Sequence, residues 1–259
     1  MRPLVLFIVF LLSAGVCAAE YKPVVQAPFY DHTKYSPDCT GYLKRFRAYT
    51  TCFDTKADDG VAWRIPDFVS YHMRAYNGDL PRGPSRPSSW ITEDALRASD
   101  EIATDASYTY SNVFRREHPN WYVRGHLAMK QHAWRLGEAA DWNTHAMLNA
   151  VPQRQGFNSG IWLDMEYKTA ELADQLGEVW IIVGPVFYTG QPIQWIGEPE
   201  KGESLVAVPD ALFKIIVTPI GVLAYIYPQE HIDFAEKNHR QFQTTVEYIE
   251  QVTELEFHI

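Results

Sequence analysis

The segment YVRGH at residues 122–126 contains an arginine, a glycine and a histidine in succession, which are residue types that could take part in catalysis. Its first residues are aromatic and β-branched, which favours a strand, and alternate residues of a strand point to the same face. Arg124 and His126 are therefore expected side by side. A guanidinium binds phosphate through a planar fork of donors, and an imidazole is the commonest general base. Gly125 would let the backbone approach whatever these side chains hold.

Two asparagines further along the chain could complete a site for phosphodiester chemistry. Asn149 lies in the polar turn LNAVPQ, and Asn158 stands near the start of a segment with helical periodicity. An asparagine oxygen is a hard, neutral ligand, suited to a Mg²⁺ ion that keeps most of its waters. A base, a cationic clamp and a lightly held magnesium together provide what phosphodiester hydrolysis needs.

The elements that must position these residues follow from the patterning. Segment 156–176 carries its apolar residues on one helical stripe, and Asn158 or Ser159 is a natural N-cap. Patches rich in β-branched and aromatic residues predict buried strands at 180–187, 213–217 and 222–227. Helices and strands mix without the regular alternation of a parallel sheet. We therefore expect an α+β fold built on a mainly antiparallel sheet flanked by helices.

The composition is that of a globular protein with a large core. The chain has 259 residues, of which 46% are hydrophobic and 14% aromatic, which excludes a disordered tail. The sequence contains no internal repeat. Residues 78–89 are rich in proline, glycine and serine and predict a surface loop. We expect a single domain over residues 20–259, although residues 20–100 carry no recognisable motif.

The charge distribution differs between the whole chain and the segment around His126. The chain has a formal net charge of −9, so its overall balance does not suggest a nucleic-acid partner. The segment 115–154 instead has six basic residues against three acidic ones. The basic residues are Arg115, Arg116, Arg124, Lys130, Arg135 and Arg154, and the acidic ones are Glu117, Glu138 and Asp141. This local excess predicts a basic cleft on an acidic body.

The N-terminus has the layout of a secretory signal peptide. A basic start at Arg2 precedes an apolar run at residues 4–16, and small residues follow at Ala18 and Ala19. The run is too short for a transmembrane helix. An uncleaved anchor and a lipoprotein signal ending at Cys17 are the alternatives. Cleavage over residues 1–19 predicts a secreted or periplasmic protein without stable membrane association.

Two cysteines remain once a signal peptide is removed. In an oxidising compartment an even pair predicts a disulfide, here between Cys39 and Cys52 across a short loop. Two buried thiols or a metal pair are the alternatives. No further cysteine in the sequence could complete a cysteine-rich zinc site.

The order and spacing of four runs resemble a known family. RGHLA, LNAVPQ, FNSGIWLDME and VWIIVGPVF are similar to segments of the DNA/RNA non-specific endonucleases, which include secreted bacterial nucleases and mitochondrial endonuclease G. The resemblance runs with decreasing clarity from about Ser107 to the C-terminus. It implies a ββα-metal core and a Mg²⁺-dependent endonuclease, with Mn²⁺ as a substitute ion. Its substrates would be DNA and RNA, cleaved with little sequence specificity.

The resemblance also implies roles for individual residues. His126 would be the general base, Arg124 the contact to the scissile phosphate, Asn158 the protein ligand of Mg²⁺, Glu166 a holder of metal-bound water and Asn149 an active-site support. Asn158 and Glu166 are eight residues apart, about 12 Å along a regular helix. One small cation could not bind both side chains directly over that distance.

Two positions depart from the family pattern. Val123 stands where the family has an aspartate, and Ala170 where a basic residue often follows the helix glutamate. Loss of the aspartate is expected to change how the neighbouring backbone or arginine is ordered, and loss of the basic residue to weaken phosphate binding. Two other interpretations stay open. One is a catalytically impaired binding protein that keeps the nuclease fold, and the other is a zinc hydrolase using His126, His132 and His145.

Overall fold

A computed structural model describes residues 19–23, 25–56, 60–80, 83, 85–108, 121–229 and 238–259. The apolar run of the predicted signal peptide lies outside the described residues, as do Arg115, Arg116 and Glu117 of the basic segment. In the described ranges, no helix combines the length and the apolar character needed to cross a membrane.

The described residues form strands and short helices throughout the chain. The strands are β1 (Tyr42–Arg45), β2 (Thr50–Phe53), β3 (Pro66–Arg74), β4 (Tyr122–His126), β5 (Ala150–Arg154), β6 (Glu178–Val186), β7 (Gln194–Ile196), β8 (Val206–Val208), β9 (Ala211–Thr218), β10 (Gly221–Pro228) and β11 (Gln243–Thr244). The helices are α1 (Asp94–Ala98), α2 (Lys130–Trp134), α3 (Glu138–Asn143), α4 (Gln155–Phe157), α5 (Leu163–Leu176) and α6 (Val246–Thr253). A π-helical stretch, Asn158–Trp162, joins α4 to α5, and 3₁₀ turns occur at Asp105–Tyr108, Met147–Asn149, Pro199–Lys201 and His239–Phe242.

Seven strands form one sheet in the order β1-β2-β3-β6-β9-β10-β11, with antiparallel neighbours throughout. The strands predicted at 180–187, 213–217 and 222–227 correspond to β6, β9 and β10. The predicted α+β fold on an antiparallel sheet is therefore confirmed. The first three strands come from the part of the chain that carries no recognisable motif, so the sheet joins both halves of the sequence.

The central strand β6 is apolar on both faces because both are covered. Ile181 and Val183 pack into the core that includes Met165 of α5, while Trp180 and Ile182 pack into a second core with Ile249 of α6. Side chains alternate along a strand, so a nearly continuous apolar run is what a doubly covered strand requires.

The predicted disulfide is present and ties the chain before β1 to β2. The Cα atoms of Cys39 and Cys52 are 5.5 Å apart, within the usual range for a disulfide. Cys52 is buried in the core beneath α6, so the bridge anchors the edge of the sheet.

The chain leaves the sheet at the end of β3 and returns at the start of the adjacent strand β6. Arg74 is in register with Glu178, and just beyond them the Ala75 N–H donates to the Gly177 carbonyl at 2.7 Å. The intervening residues 75–177 include the hairpin β4–β5 and the helix that follows it. The described residues of the predicted loop 78–89 form neither strand nor helix.

The helix after the hairpin begins earlier and is less regular than the sequence predicts. Helical structure starts at Gln155, and Asn158 already has helical angles (φ −58°, ψ −46°), so the predicted N-cap at Asn158 or Ser159 is wrong. The Ser159 hydroxyl instead donates to the Gln155 carbonyl at 2.9 Å. Gly160 (φ −100°, ψ −114°) breaks the helical geometry. The rise of a regular helix therefore does not describe the path from Asn158 to Glu166. Such π-helical stretches are frequent at functional sites.

Candidate active site

The antiparallel hairpin β4–β5 presents the two residues expected to do chemistry. His126 is in register with Ala150 and Arg124 with Pro152, so both side chains lie on one face of β4, and both are half-buried. Packing within the hairpin also requires a glycine at position 125. A Cβ added to it would lie 2.1 Å from Cδ of the buried Gln153, so the glycine makes room for that side chain between the strands.

Asn149 fixes the backbone just beyond His126. Its side chain is buried, and its Oδ1 accepts from the Ala128 N–H at 2.8 Å. Its Nδ2 donates to the carbonyls of Ala128 and Thr144, both at 2.9 Å. A single amide thus satisfies three buried backbone groups, which rigidifies the turn after the hairpin strand.

Two aromatic rings surround the imidazole of His126. The ring centroid of Trp90 is 4.7 Å away, and that of His145 is 5.0 Å away at an interplanar angle of 88°. The Nε2 atom of His126 is buried and makes no hydrogen bond with the described residues. Burial above all, followed by the electrostatic influence of His145 and Arg86, holds the pKa of His126 well below its usual value. The imidazole is therefore neutral near neutral pH, as a general base must be.

No pattern in the sequence indicates that Trp90 belongs to this site. Its segment is fixed by two backbone hydrogen bonds of 2.8 Å: the Ile91 N–H donates to the His145 carbonyl, and the Met147 N–H donates to the Ile91 carbonyl. These long-range bonds bring the chain before α1 against the turn before β5, a juxtaposition that no local pattern encodes.

The predicted basic cleft is partly neutralised by acidic side chains from other segments. Lys130 lies 3.7 Å from the buried Asp141, and Arg135 donates to Asp174 at 2.7 Å. Arg124 is likewise paired with Asp105. Burial raises the pKa of Asp141 to about 6, against the opposing effect of Lys130. The positive charge at the site is thus smaller than the local count of residues indicates.

Asn158 begins the π-helical stretch and is half-buried. It has helical backbone angles and does not cap the helix. The described residues contain no cluster of three or more histidine, cysteine, aspartate or glutamate side chains able to hold a metal ion. One neutral oxygen suits a Mg²⁺ ion whose other ligands are water and substrate phosphate, so the residues present fit that ion.

Glu166 lies in the core, on the side of α5 that packs against the sheet. It is 5% exposed, and Lys214 of β9 is fully buried. Burial raises the pKa of Glu166, while attraction to Lys214 opposes the rise. The Lys214 ammonium also lies 4.2 Å from the ring centroid of Trp162. The glutamate expected to hold metal-bound water thus lies in the core, where neither its Oε1 nor the Lys214 Nζ makes a hydrogen bond with the described residues.

His132 is engaged by the protein through both ring nitrogens. Its Nδ1 lies 3.3 Å from the Tyr71 hydroxyl and its Nε2 lies 3.0 Å from the Glu166 carbonyl. The structure therefore brings His126 and His145 together but gives His132 other partners. This arrangement does not support the zinc-hydrolase interpretation.

A hairpin that carries a neutral imidazole and an arginine, followed by a helical segment that carries an asparagine, is the arrangement expected of a ββα nuclease. Comparison with known proteins agrees with it. The model of the DNA/RNA non-specific endonuclease family matches residues 31–258, and the chain belongs to this family.

Individual relatives support the same assignment. The chain is 29% identical over 147 residues to a human protein, "Nuclease EXOG, mitochondrial", a match covering 52% of this chain and 39% of the human protein. The chain thus spans well under two thirds of that relative. It is 27% identical over 178 residues to "Nuclease C1" of Cunninghamella echinulata var. echinulata, covering 66% of this chain and 67% of that protein.

A solved structure shares the fold. EndoG, in the crystal structure of the EndoG/EndoGI complex, superposes with a TM-score of 0.62 at 22% identity, covering 84% of this chain and 85% of that chain. At this identity the likeness shows the fold, and with it the predicted ββα-metal class.

The relatives correct the predicted localisation. The proteins from Homo sapiens, Mus musculus, Danio rerio and Xenopus laevis that match this chain are all named mitochondrial nucleases. The prediction of a secreted or periplasmic protein is therefore wrong. An apolar run after a basic residue reports a preference for an apolar environment, and that physical property does not by itself specify a compartment.

Proposed function

We propose that this protein is a Mg²⁺-dependent endonuclease that hydrolyses phosphodiester bonds of DNA and RNA with little sequence specificity. The observation that carries the proposal is the pairing of Arg124 and a neutral His126 on one half-buried face of β4. Membership of the DNA/RNA non-specific endonuclease family supports it.

His126 is the general base of the proposed reaction. Because its Nε2 is buried, Nδ1 is the nitrogen that takes the proton of the attacking water. Trp90 and His145 hold the ring in place, and Asn149 fixes the backbone that follows it. A general base contributes typically about 10²–10⁴-fold to rate.

Arg124 and Asn158 bind the reacting phosphate and the metal. Arg124 donates to a non-bridging phosphate oxygen. Asn158 would supply the side-chain oxygen that holds Mg²⁺, or Mn²⁺ in its place. When bound, the ion stabilises negative charge on the phosphate and on the leaving 3′ oxygen. Glu166, eight residues further along the chain, would orient water bound to the ion.

A cleavage assay with supercoiled plasmid and with single-stranded RNA tests the proposal. We expect cleavage of both with Mg²⁺ and none with EDTA. The variant His126→Ala should lose about 10²–10⁴-fold in kcat while its DNA binding persists. His258→Ala is the matched control, because His258 is exposed near the C-terminus, and it should cleave like the wild type. Binding without cleavage by the wild type would instead identify an impaired nuclease fold that serves as a binding protein.

A further inference from the structure

Arg124 needs a partner that fixes its guanidinium, and the adjacent residue does not provide one. Val123 has an apolar side chain that offers neither a charge nor a hydrogen bond. In this structure Val123 also lies on the opposite face of β4 from Arg124, because consecutive strand residues alternate. A side chain at position 123 therefore does not lie beside the guanidinium.

The partner comes from a different segment. Nη1 of Arg124 donates to Oδ1 of Asp105, in the 3₁₀ turn before the undescribed residues 109–120. The second carboxylate oxygen, Oδ2, accepts from the Trp90 N–H at 2.8 Å. One carboxylate thus connects the arginine of the hairpin to the backbone of the residue that packs against His126.

Aromatic rings limit the remaining freedom of Arg124. Its guanidinium carbon lies 5.6 Å from the ring centroid of Trp90 and 5.7 Å from that of Tyr108, both within the range of cation–π attraction. The side chains of Arg124 and Asp105 are each 32% exposed, so a substrate can reach them. The bond to Asp105 uses Nη1, which leaves Nη2 and Nε able to donate to a phosphate.

We propose that Asp105 is a positioning residue that orients Arg124 for the phosphate and sets its distance from His126. The inference rests on the proposed function. Asp105 acts through Arg124 and does not itself contact the substrate. The Asp105 carboxylate repels the phosphate of the nucleic acid and so weakens binding of the substrate in the ground state. Its benefit is to the transition state, because it orients Arg124 for the reacting phosphate.

Steady-state kinetics of Asp105→Asn and Asp105→Ala test this assignment. The amide keeps an acceptor for the Trp90 N–H and loses the charge, whereas alanine loses both. We expect kcat to fall on the order of 10-fold for Asp105→Asn and 100-fold for Asp105→Ala, as expected for a misplaced catalytic contact. KM should not rise, since a negative charge near the substrate is removed.

Asp174→Asn is the matched control. Asp174 also pairs with an arginine, Arg135, and also accepts a backbone N–H, that of Tyr76. Its kcat and KM should stay close to those of the wild type. Melting temperatures of all variants, and kcat expressed per folded molecule, remove the contribution of unfolding.

A double-mutant cycle tests whether Asp105 affects catalysis through Arg124. In an Arg124→Ala background, Asp105→Asn should produce no further loss of kcat, because residues that act through one another are not additive. Three outcomes would each overturn the inference about Asp105 and leave the proposed function intact. They are an unchanged kcat for Asp105→Asn in the otherwise wild-type protein, an effect on KM without an effect on kcat, and the same loss of kcat with and without Arg124. A wild-type protein without metal-dependent cleavage would overturn the proposed function, and this inference with it.

Discussion

The imidazole rings of His126 and His145 meet edge to face, with centroids 5.0 Å apart, and each has an Nε2 that is buried and makes no hydrogen bond with the described residues. Nδ1 of His145 lies 3.3 Å from the Trp142 carbonyl. Burial lowers the pKa of His145 to about 4 and that of His126 well below its usual value. Two neutral rings can pack this closely, whereas two imidazolium ions would repel.

The depressed pKa of His126 sets the acid limb of activity. A base works only when it is unprotonated, so kcat/KM should be constant above the pKa of His126 and fall with unit slope below it. Because that pKa lies below the ordinary value of 6.5, the fall should begin at more acid pH than for an exposed histidine. The measurement is kcat/KM against pH at saturating Mg²⁺. The residual activity of His126→Ala should lack this limb, and a midpoint at or above pH 6.5 would contradict the prediction.

The relative cleavage activities of Asn158 variants test whether Asn158 binds the metal. Asn158→Ala should abolish cleavage at ordinary Mg²⁺, because no second protein ligand replaces the lost oxygen. Asn158→Asp should keep intermediate activity, since a carboxylate offers an oxygen in nearly the same place with an added charge. Ser159→Ala is the control: its exposed hydroxyl only bonds the preceding turn, so activity should persist. Binding of Mn²⁺, followed by electron paramagnetic resonance, should weaken in the same order as cleavage. Near-wild-type activity of Asn158→Ala would remove Asn158 from the metal site.

Electrostatic attraction between Glu166 and Lys214, which are both buried, predicts a loss of stability when Glu166 is removed. Glu166→Ala should lower the free energy of unfolding by about 1–3 kcal/mol, because the buried Lys214 ammonium then loses the nearby carboxylate that stabilises it. The double variant Glu166→Ala, Lys214→Met should recover much of this loss. Denaturant unfolding measures both. Glu198→Ala, which breaks an exposed pair with Lys201, should lose at most about 1 kcal/mol.

The same glutamate variant also bears on the site. Well below its melting temperature, Glu166→Ala should cleave more slowly than the wild type but still require Mg²⁺, and it should be less impaired than Asn158→Ala. A water-mediated contact orients what Asn158 binds without replacing it. Loss of the metal requirement in Glu166→Ala, with Asn158→Ala unaffected, would reverse the two roles.

Removal of the disulfide should affect stability and leave the chemistry intact. Replacing Cys39 and Cys52 together by serine should lower the free energy of unfolding by about 2–4 kcal/mol, chiefly because the unfolded chain is less constrained. The folded variant should cleave like the wild type, since Cys52 packs into the core beneath α6, whereas the hairpin residues Ala150 and Val151 pack into the other core. Reducing agent should lower the stability of the wild type and leave the variant unchanged. Free-thiol titration that finds both thiols in unreduced protein would contradict the bridge.

Local sequence patterns predict the helices and strands whose periodicity is visible within a short window. The strand at residues 122–126, the helix after it and strands β6, β9 and β10 each carry a periodicity that is visible within a short window. The pairing of Arg124 with His126 on one face follows from strand geometry alone. The start of the helix was missed because Gln155 and Gly156 lack a capping signal, although Phe157 is already buried in helical structure.

Contacts between distant segments were not predictable from the sequence. Asp105, Trp90 and His145 reach the hairpin through hydrogen bonds and ring contacts that cross long stretches of chain, and no local pattern encodes them. One feature of the sequence does bear on the surroundings of Glu166. Lys214 is a charged residue inside the otherwise apolar strand FKIIV, and a lysine buried in a central strand requires a counter-charge. An interpretation of Glu166 as only a site residue overlooks that requirement.

The junction where the chain leaves β3 and returns into β6 has a consequence during synthesis. β3 is complete at Arg74, but the strand that pairs with it begins only at Glu178. At about 5–20 residues per second, the ribosome needs on the order of ten seconds to make the segment between them. Throughout that interval the apolar residues Val69, Tyr71 and Met73 present an unpaired edge. An edge of that kind is a template for pairing with other chains, so the interval before β6 emerges is the time when β3 is most open to incorrect pairing.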